Sequence, residues 1–191
     1  MEVHALPSKI APAESHDRKL HFTSVETIKL ILIQKNPIKM NTFVTPVEPG
    51  YPPVPRDELE DLFQLCRAND WAKVITLQQQ KPWLALTPLV MANNITTTLL
   101  HQAIISKGDT SLRARLIQGI LKRTPQAARL KNGNGSLPLH AIAQRNTKID
   151  AVTKEKLISM LISVYPGGLT EEGGCGMRTP LHIIFTGLYH N

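Results

Sequence analysis

Three histidines, His101, His140 and His182, are the residues whose type and spacing most suggest chemistry. They lie 39 and 42 residues apart, and each ends a similar four-residue run: Thr98-Leu99-Leu100-His101, Leu137-Pro138-Leu139-His140 and Thr179-Pro180-Leu181-His182. A metal would need their nitrogens at about 2.0–2.1 Å from one ion. Equivalent positions on packed helices lie about 10 Å apart, so the spacing predicts a structural role and no metal site. No CxxC pair exists, since the two cysteines are Cys66 and Cys175, which excludes a zinc knuckle or a thioredoxin-type site. The clusters Gly133-Asn134-Gly135 and Gly173-Gly174-Cys175-Gly176 lack the Lys-Ser/Thr that a phosphate loop requires, and read as turns. No HExxH, GxSxG or kinase signature occurs. Asp57, Glu58, Glu60 and Asp61 form the one acidic cluster, and beside Arg56 they read as surface and capping residues. The expectation is a chain that is not an enzyme and takes no cofactor.

Charge offers a second lead. The net charge is +7, and the stretch from Lys107 to Lys156 holds eleven Lys/Arg against Asp109, Asp150 and Glu155. Such a stretch is either an anion-binding surface, using Arg113, Arg115, Lys122, Arg123, Arg129 and Lys131, or a solvated helix face; the second reading carries more weight. Aromatics make up 5% of the chain, so its core must be built from Leu, Ile, Val and Ala, which suits packed helices. The longest apolar run, Leu30-Ile31-Leu32-Ile33, is far short of the roughly 20 residues of a membrane helix. The N-terminus has neither the apolar centre of a signal peptide nor the acid-poor character of a transit peptide. With only two cysteines, the expectation is a soluble protein inside the cell, in cytoplasm or nucleus, with no membrane insertion.

These candidates need elements to hold them. Residues 1–56 contain eight of the fourteen prolines, and PVEPGYPPVP (46–55) can form neither a helix nor a central strand. The segment is read as a disordered Pro-rich leader, a linker in preference to an SH3-type ligand. Met40 offers an alternative start. A second domain is expected over 57–191. Asp57 is placed as a helix cap with Glu60 three residues on, as in a capping box. Leu59, Leu62, Phe63 and Cys66 then form one apolar stripe. A turn at Ala68-Asn69-Asp70 leads to a second helix from about Trp71 to Gln80, ending before Pro82.

An internal repeat follows. Leu116-Ile117, Ile120-Leu121 and Thr124-Pro125 match Leu157-Ile158, Leu161-Ile162 and Tyr165-Pro166 at a constant offset of 41 residues. Each unit reads as a short helix opening at the histidine motif, a loop, a more apolar helix running to a proline, and a turn-rich connector. Thr98 and Thr179 can cap by accepting from an orphan N–H. Pro138 and Pro180 suit the first helical position. Leu100, Leu139 and Leu181 point into the stack, and each histidine can bond the capping residue or a neighbouring turn. One such unit cannot bury its apolar face alone, whereas stacked units can.

The T-P-L-H opening of a helix pair, with "LCRANDW" (Leu65–Trp71), resembles the ankyrin repeat, and the 39–43-residue spacing is similar to divergent ankyrin-like arrays of unicellular algae. The resemblance covers about 57–191 and implies an all-α, ankyrin-like α-solenoid of about three helix pairs and a shortened last repeat. It also implies a protein–protein interaction scaffold whose partner meets the connectors and first helices. On that mapping the contact residues are Gln102, Ile105, Lys131, Asn132, Asn134, Gln144, Arg145, Glu171 and Glu172. Nucleic-acid binding by the basic stretch, and a regulatory fragment of a longer chain, stay open as alternatives. The last unit, nine residues past His182, is expected to be either a truncated repeat or an improvised cap.

Overall fold

The structure is a computed structural model that describes residues 54–90, 96–144, 146–174 and 176–189. The leader expected over 1–56 therefore lies outside the described residues except for its last three. Of these, Arg56 already opens helix α1 (Arg56–Ala68). Pro55 occupies the capping position and offers no side-chain acceptor. Asp57 consequently falls inside the first turn and is not the cap that the sequence suggests; there its charge favours the positive end of the helix dipole.

Asn69 takes a left-handed conformation (φ 58°) after α1, one that Asn tolerates better than most residues. Asp70 then caps α2 (Trp71–Gln80) by accepting from the Lys73 N–H at 3.3 Å. A two-residue turn thus joins the first pair. The second pair is α3 (Leu99–Ile105) and α4 (Thr110–Arg123), and the third is α5 (Pro138–Ala143) and α6 (Ala151–Val164). Helix α7 (Pro180–Tyr189) is the last. Each second helix starts on an aspartate: Asp109 accepts from Ser111 and Leu112, and Asp150 from Thr153.

The prolines that follow the second helices do not simply end them. Pro82–Leu86, Pro125–Arg129 and Pro166–Leu169 each form a short 3-10 turn, because proline at a first helical position lacks only an N–H that would be orphaned anyway. These turns bury Leu84 and Ala85, Ala127 and Ala128, and Gly168 and Leu169 respectively.

Packing runs in two rows. In one, α3 meets α5 and α5 meets α7; in the other, α2 meets α4 and α4 meets α6. Within each pair the two helices also pack on one another. The core between the rows is aliphatic. Leu100 and Ile104 from α3, Leu116, Ile117 and Ile120 from α4, Ile142 from α5, and Leu157 and Leu161 from α6 are all buried. The described residues are mostly helical and contain no closed sheet. Their only strands are β1 (Leu89–Val90) and β2 (Thr96–Thr97), paired antiparallel. No described helix is long and apolar enough to cross a membrane.

Candidate functional site

The connectors that lead into α3, α5 and α7 bring most of the sequence-selected residues together. The connector before α5 is built by Asn132. Its Oδ1 accepts from the N–H groups of Asn134 (3.1 Å) and Ser136 (2.9 Å), and its own N–H donates to Ser136 O at 2.9 Å. A side chain able to imitate a turn carbonyl does this at low cost. The next connector closes similarly, with the Gly173 N–H donating to Arg178 O at 3.2 Å.

Adjacent connectors touch through their glycines. The Gly133 N–H donates to Thr96 O at 2.7 Å, and a Cβ at Gly133 would lie 2.9 Å from Thr96. A Cβ at Gly173 would lie 2.4 Å from Gly135 O and 3.1 Å from the His140 ring. Only hydrogen fits at these two positions.

The histidines tie one connector to the next. His101 is 1% exposed. Its Nδ1 lies 2.8 Å from Thr98 Oγ1, and its Nε2 lies 2.8 Å from Ser136 O in the following connector. A carbonyl can only accept, so Nε2 carries the proton and Nδ1 accepts from the threonine hydroxyl. That hydroxyl oxygen in turn accepts from the His101 N–H at 3.3 Å. Burial pushes the His101 pKa down to about 4. His140 repeats the pattern: the Leu137 N–H donates to Nδ1 at 3.1 Å, and Nε2 lies 2.9 Å from Arg178 O. Its pKa is also lowered, by burial. Leu137 has no hydroxyl, and the His140 N–H is taken by the Leu137 carbonyl at 2.9 Å. Thr179 caps α7 by accepting from the His182 N–H at 3.2 Å. Among the described residues no three His, Cys, Asp or Glu side chains are grouped as a metal site.

A parallel set of polar ties runs along the second-helix row. The Trp71 indole donates to Lys107 O at 3.1 Å. Arg113 is fully buried. It bonds Ala103 O, Ile104 O and Ser106 O at the end of α3, and Lys148 O in the loop before α6. One guanidinium thereby satisfies the orphan carbonyls of its own pair and holds the next. Lys154, four residues past the Asp150 cap as Arg113 is past Asp109, donates to Gln144 O at 2.6 Å. The sequence places Arg113 in an exposed basic face, and its burial removes it from any such surface. The signal that points to the buried role is Asp-x-x-x-Arg/Lys recurring at the 41-residue offset.

Of the contact residues that the sequence selects, Ile105 is 50% exposed, and Asn134, Gln144 and Glu172 are exposed. Asn132 is half-buried in its own turn. Lys131 and Glu171 are brought together in an ion pair at 3.0 Å. The Tyr165 hydroxyl also donates to Glu171, and the Arg129 guanidinium lies 5.0 Å above the Tyr165 ring. Partial burial raises the Glu171 pKa, but the hydrogen bonds from Tyr165 and Lys131 outweigh it and hold the carboxyl below its usual value. Gln102 does not face outward as expected. It is buried, with its amide donating to Thr97 Oγ1 at 3.5 Å, because a seven-residue helix packed between neighbours leaves little free surface. Arg145 lies outside the described residues. The structure adds Val90 and Met177, apolar and 60% and 66% exposed on the first and last connectors; isolated in turn-rich sequence, they give no periodic signal.

The basic stretch is divided by the fold. Arg123 donates to Gln78 Oε1 at 3.5 Å, and Arg129, Lys131 and Lys154 are engaged as described above. Arg115, Lys122 and Lys156 remain exposed on the second helices. Cys66 is buried and its thiol pKa is pushed up to about 12, which makes it unreactive.

No protein-family model, curated protein or solved structure matches this chain. The assignment of a role rests on its own residues.

Proposed function

We propose that the chain is an ankyrin-like α-solenoid acting as a non-enzymatic scaffold inside the cell, which binds another protein through its connectors and the exposed ends of its first helices. The observation that carries this reading is the repeated bond from a motif histidine to the carbonyl four residues before the next one, His101 to Ser136 O and His140 to Arg178 O. Repetition of that bond lines the connectors up side by side. A continuous edge results, with Asn134, Glu172 and Met177 exposed along it, and Ile105 exposed at the far end of α3. An exposed apolar side chain among polar turn residues is the composition of a modest protein-binding surface.

The test is affinity capture with matched variants. One variant reverses the edge (Asn134→Arg with Glu172→Arg); the other alters the second helices (Arg115→Glu with Lys156→Glu). A protein recovered with the native chain and the second-helix variant, and lost with the edge variant, is the expected result. The opposite pattern would contradict the reading.

A second reading has one observation in its favour. Arg115 and Lys156 stand at equivalent positions, 41 residues apart, on α4 and α6, which pack together, and both are exposed. They form the start of an anion-binding row for nucleic acid. Retention on immobilised heparin that falls steeply with salt, and is lost in the Arg115→Glu, Lys156→Glu variant, would favour it.

A further inference from the structure

We infer that Asn134 is a spontaneous deamidation site, that the fold protects the adjoining Asn132 from the same reaction, and that isoaspartate at 134 loosens the His101 tie. The connector before α5 runs Asn132-Gly133-Asn134-Gly135, so two Asn-Gly pairs stand in succession. The inference does not depend on the proposed scaffold role.

An asparagine side chain can be attacked by the main-chain nitrogen of the residue that follows it. At Asn134 the Gly135 nitrogen, once hydroxide has taken its proton, bonds to Cγ. The bond from Cγ to the side-chain nitrogen breaks, and that nitrogen takes a proton from water and leaves as ammonia. A cyclic imide remains. Water then adds to one imide carbonyl, and the bond from that carbonyl to the Gly135 nitrogen breaks. Opening at the side-chain carbonyl gives aspartate; opening at the main-chain carbonyl gives isoaspartate. Nothing is oxidised or reduced, and water is the one co-reactant. Glycine in the following position favours the attack, because no Cβ obstructs its nitrogen.

The fold leaves this path open at Asn134. The residue is exposed, and among the described residues its side-chain amide takes no hydrogen bond. A Cβ on Gly135 would meet nothing nearer than 3.9 Å, so the space around the nucleophile is clear. One bond restrains it, from the Gly135 N–H to Asn132 O at 2.8 Å within the same turn.

Asn132 is held differently. It is half-buried, and its Oδ1 must release the N–H groups of both Asn134 and Ser136 before Cγ can turn. Its nucleophile, the Gly133 nitrogen, donates to Thr96 O in the preceding connector, where a Cβ would already clash. Three bonds must open here against one at Asn134. Two additional bonds slow the reaction at least about tenfold.

Both products place a new carboxylate on the connector. Isoaspartate also adds one methylene to the main chain before Gly135. Ser136 O, which accepts from His101 Nε2–H, lies just beyond. The longer chain displaces that carbonyl, whereas aspartate leaves the main chain as it was.

The test keeps the native 191-residue chain in warm, mildly alkaline buffer and follows each asparagine by peptide mapping. Mass spectrometry reads the exchange of NH2 for OH, and fragmentation separates aspartate from isoaspartate. Conversion at Asn134 at least about tenfold faster than at Asn132 is expected. In concentrated guanidinium the two should convert at similar rates. Both rates come from one native sample, so the comparison needs no variant. In NMR spectra of the aged chain, the isoaspartate fraction should lose its slowly exchanging His101 Nε2–H, and Asn134→Asp should keep it. Equal rates in the native chain would overturn the inference. So would an Asn134 that converts only in guanidinium, or an isoaspartate form whose His101 proton still exchanges slowly.

Discussion

Mild acid should weaken this protein through His101, and the size of the effect follows from the site. The ring is buried, its Nδ1 accepts from Thr98, and its pKa falls from the ordinary 6.5 to about 4. Between those values the unfolded chain binds a proton that the fold excludes. Stability is therefore full above about pH 6.5 and is lost as pH falls toward about 4. Linkage gives a loss of roughly 2 kcal/mol by about pH 5 and roughly 3 kcal/mol by about pH 4. His140 is shifted the same way and adds to the loss. The capping aspartates do not interfere in this window. Hydrogen bonds from Lys73, Ser111 and Thr153 hold Asp70, Asp109 and Asp150 below the ordinary carboxylate value, so their contributions are present above about pH 3.8 and fall away only below it. The assay is urea unfolding across this range for the native chain and for His101→Gln, which removes the titration. The variant should be less stable near pH 7 and should lose roughly 2 kcal/mol less than the native chain on going to about pH 5. Parallel pH profiles for the two chains would mean that His101 takes up its proton equally in the folded and unfolded states, against the burial described.

Four further substitutions, at three positions, probe the same ties by urea unfolding. Arg113→Met strands the carbonyls of Ser106 and Lys148 and should cost about 3 kcal/mol or more, whereas Arg113→Lys, imitating Lys154, should cost less because an ammonium can still reach Ser106 O. Thr98→Val removes both the α3 cap and the partner of His101 Nδ1, with an expected loss of about 1–2 kcal/mol. Gly173→Ala forces a methyl against Gly135 O; a loss of about 1–3 kcal/mol is expected, with a shift of the His140 ring resonances.

Much of the helical frame is legible in the amino-acid sequence. The motif residues Thr98, Pro138 and Pro180 mark helix starts because capping and N1 preferences are local. The 41-residue offset pairs α4 with α6 because both helices must bury the same aliphatic positions. Asp57 misleads because capping-box spacing does not say which residue leaves the helix first, and Pro55 sets that point two residues earlier than expected. The 3-10 turns after Pro82, Pro125 and Pro166 are hidden because a proline that stops one helix can equally open the next turn. β1 and β2, two residues each, are too short to show an alternating pattern. Arg113 is hidden for a different reason. Charge counted along the chain cannot show that this cation sits among carbonyls, which only packing brings together. Gln102 is a similar case, polar in sequence but enclosed by its neighbours.

The histidine ties are tested most directly by NMR of the side chains in the native chain near pH 7. Nε2–H protons on His101 and His140 that exchange slowly with water are expected, with cross-peaks from the His101 ring to Ser136 and from the His140 ring to Arg178 and Gly173. Rings that exchange their protons rapidly, titrate near pH 6.5 and show no contact with the following connector would contradict the stacking of these connectors.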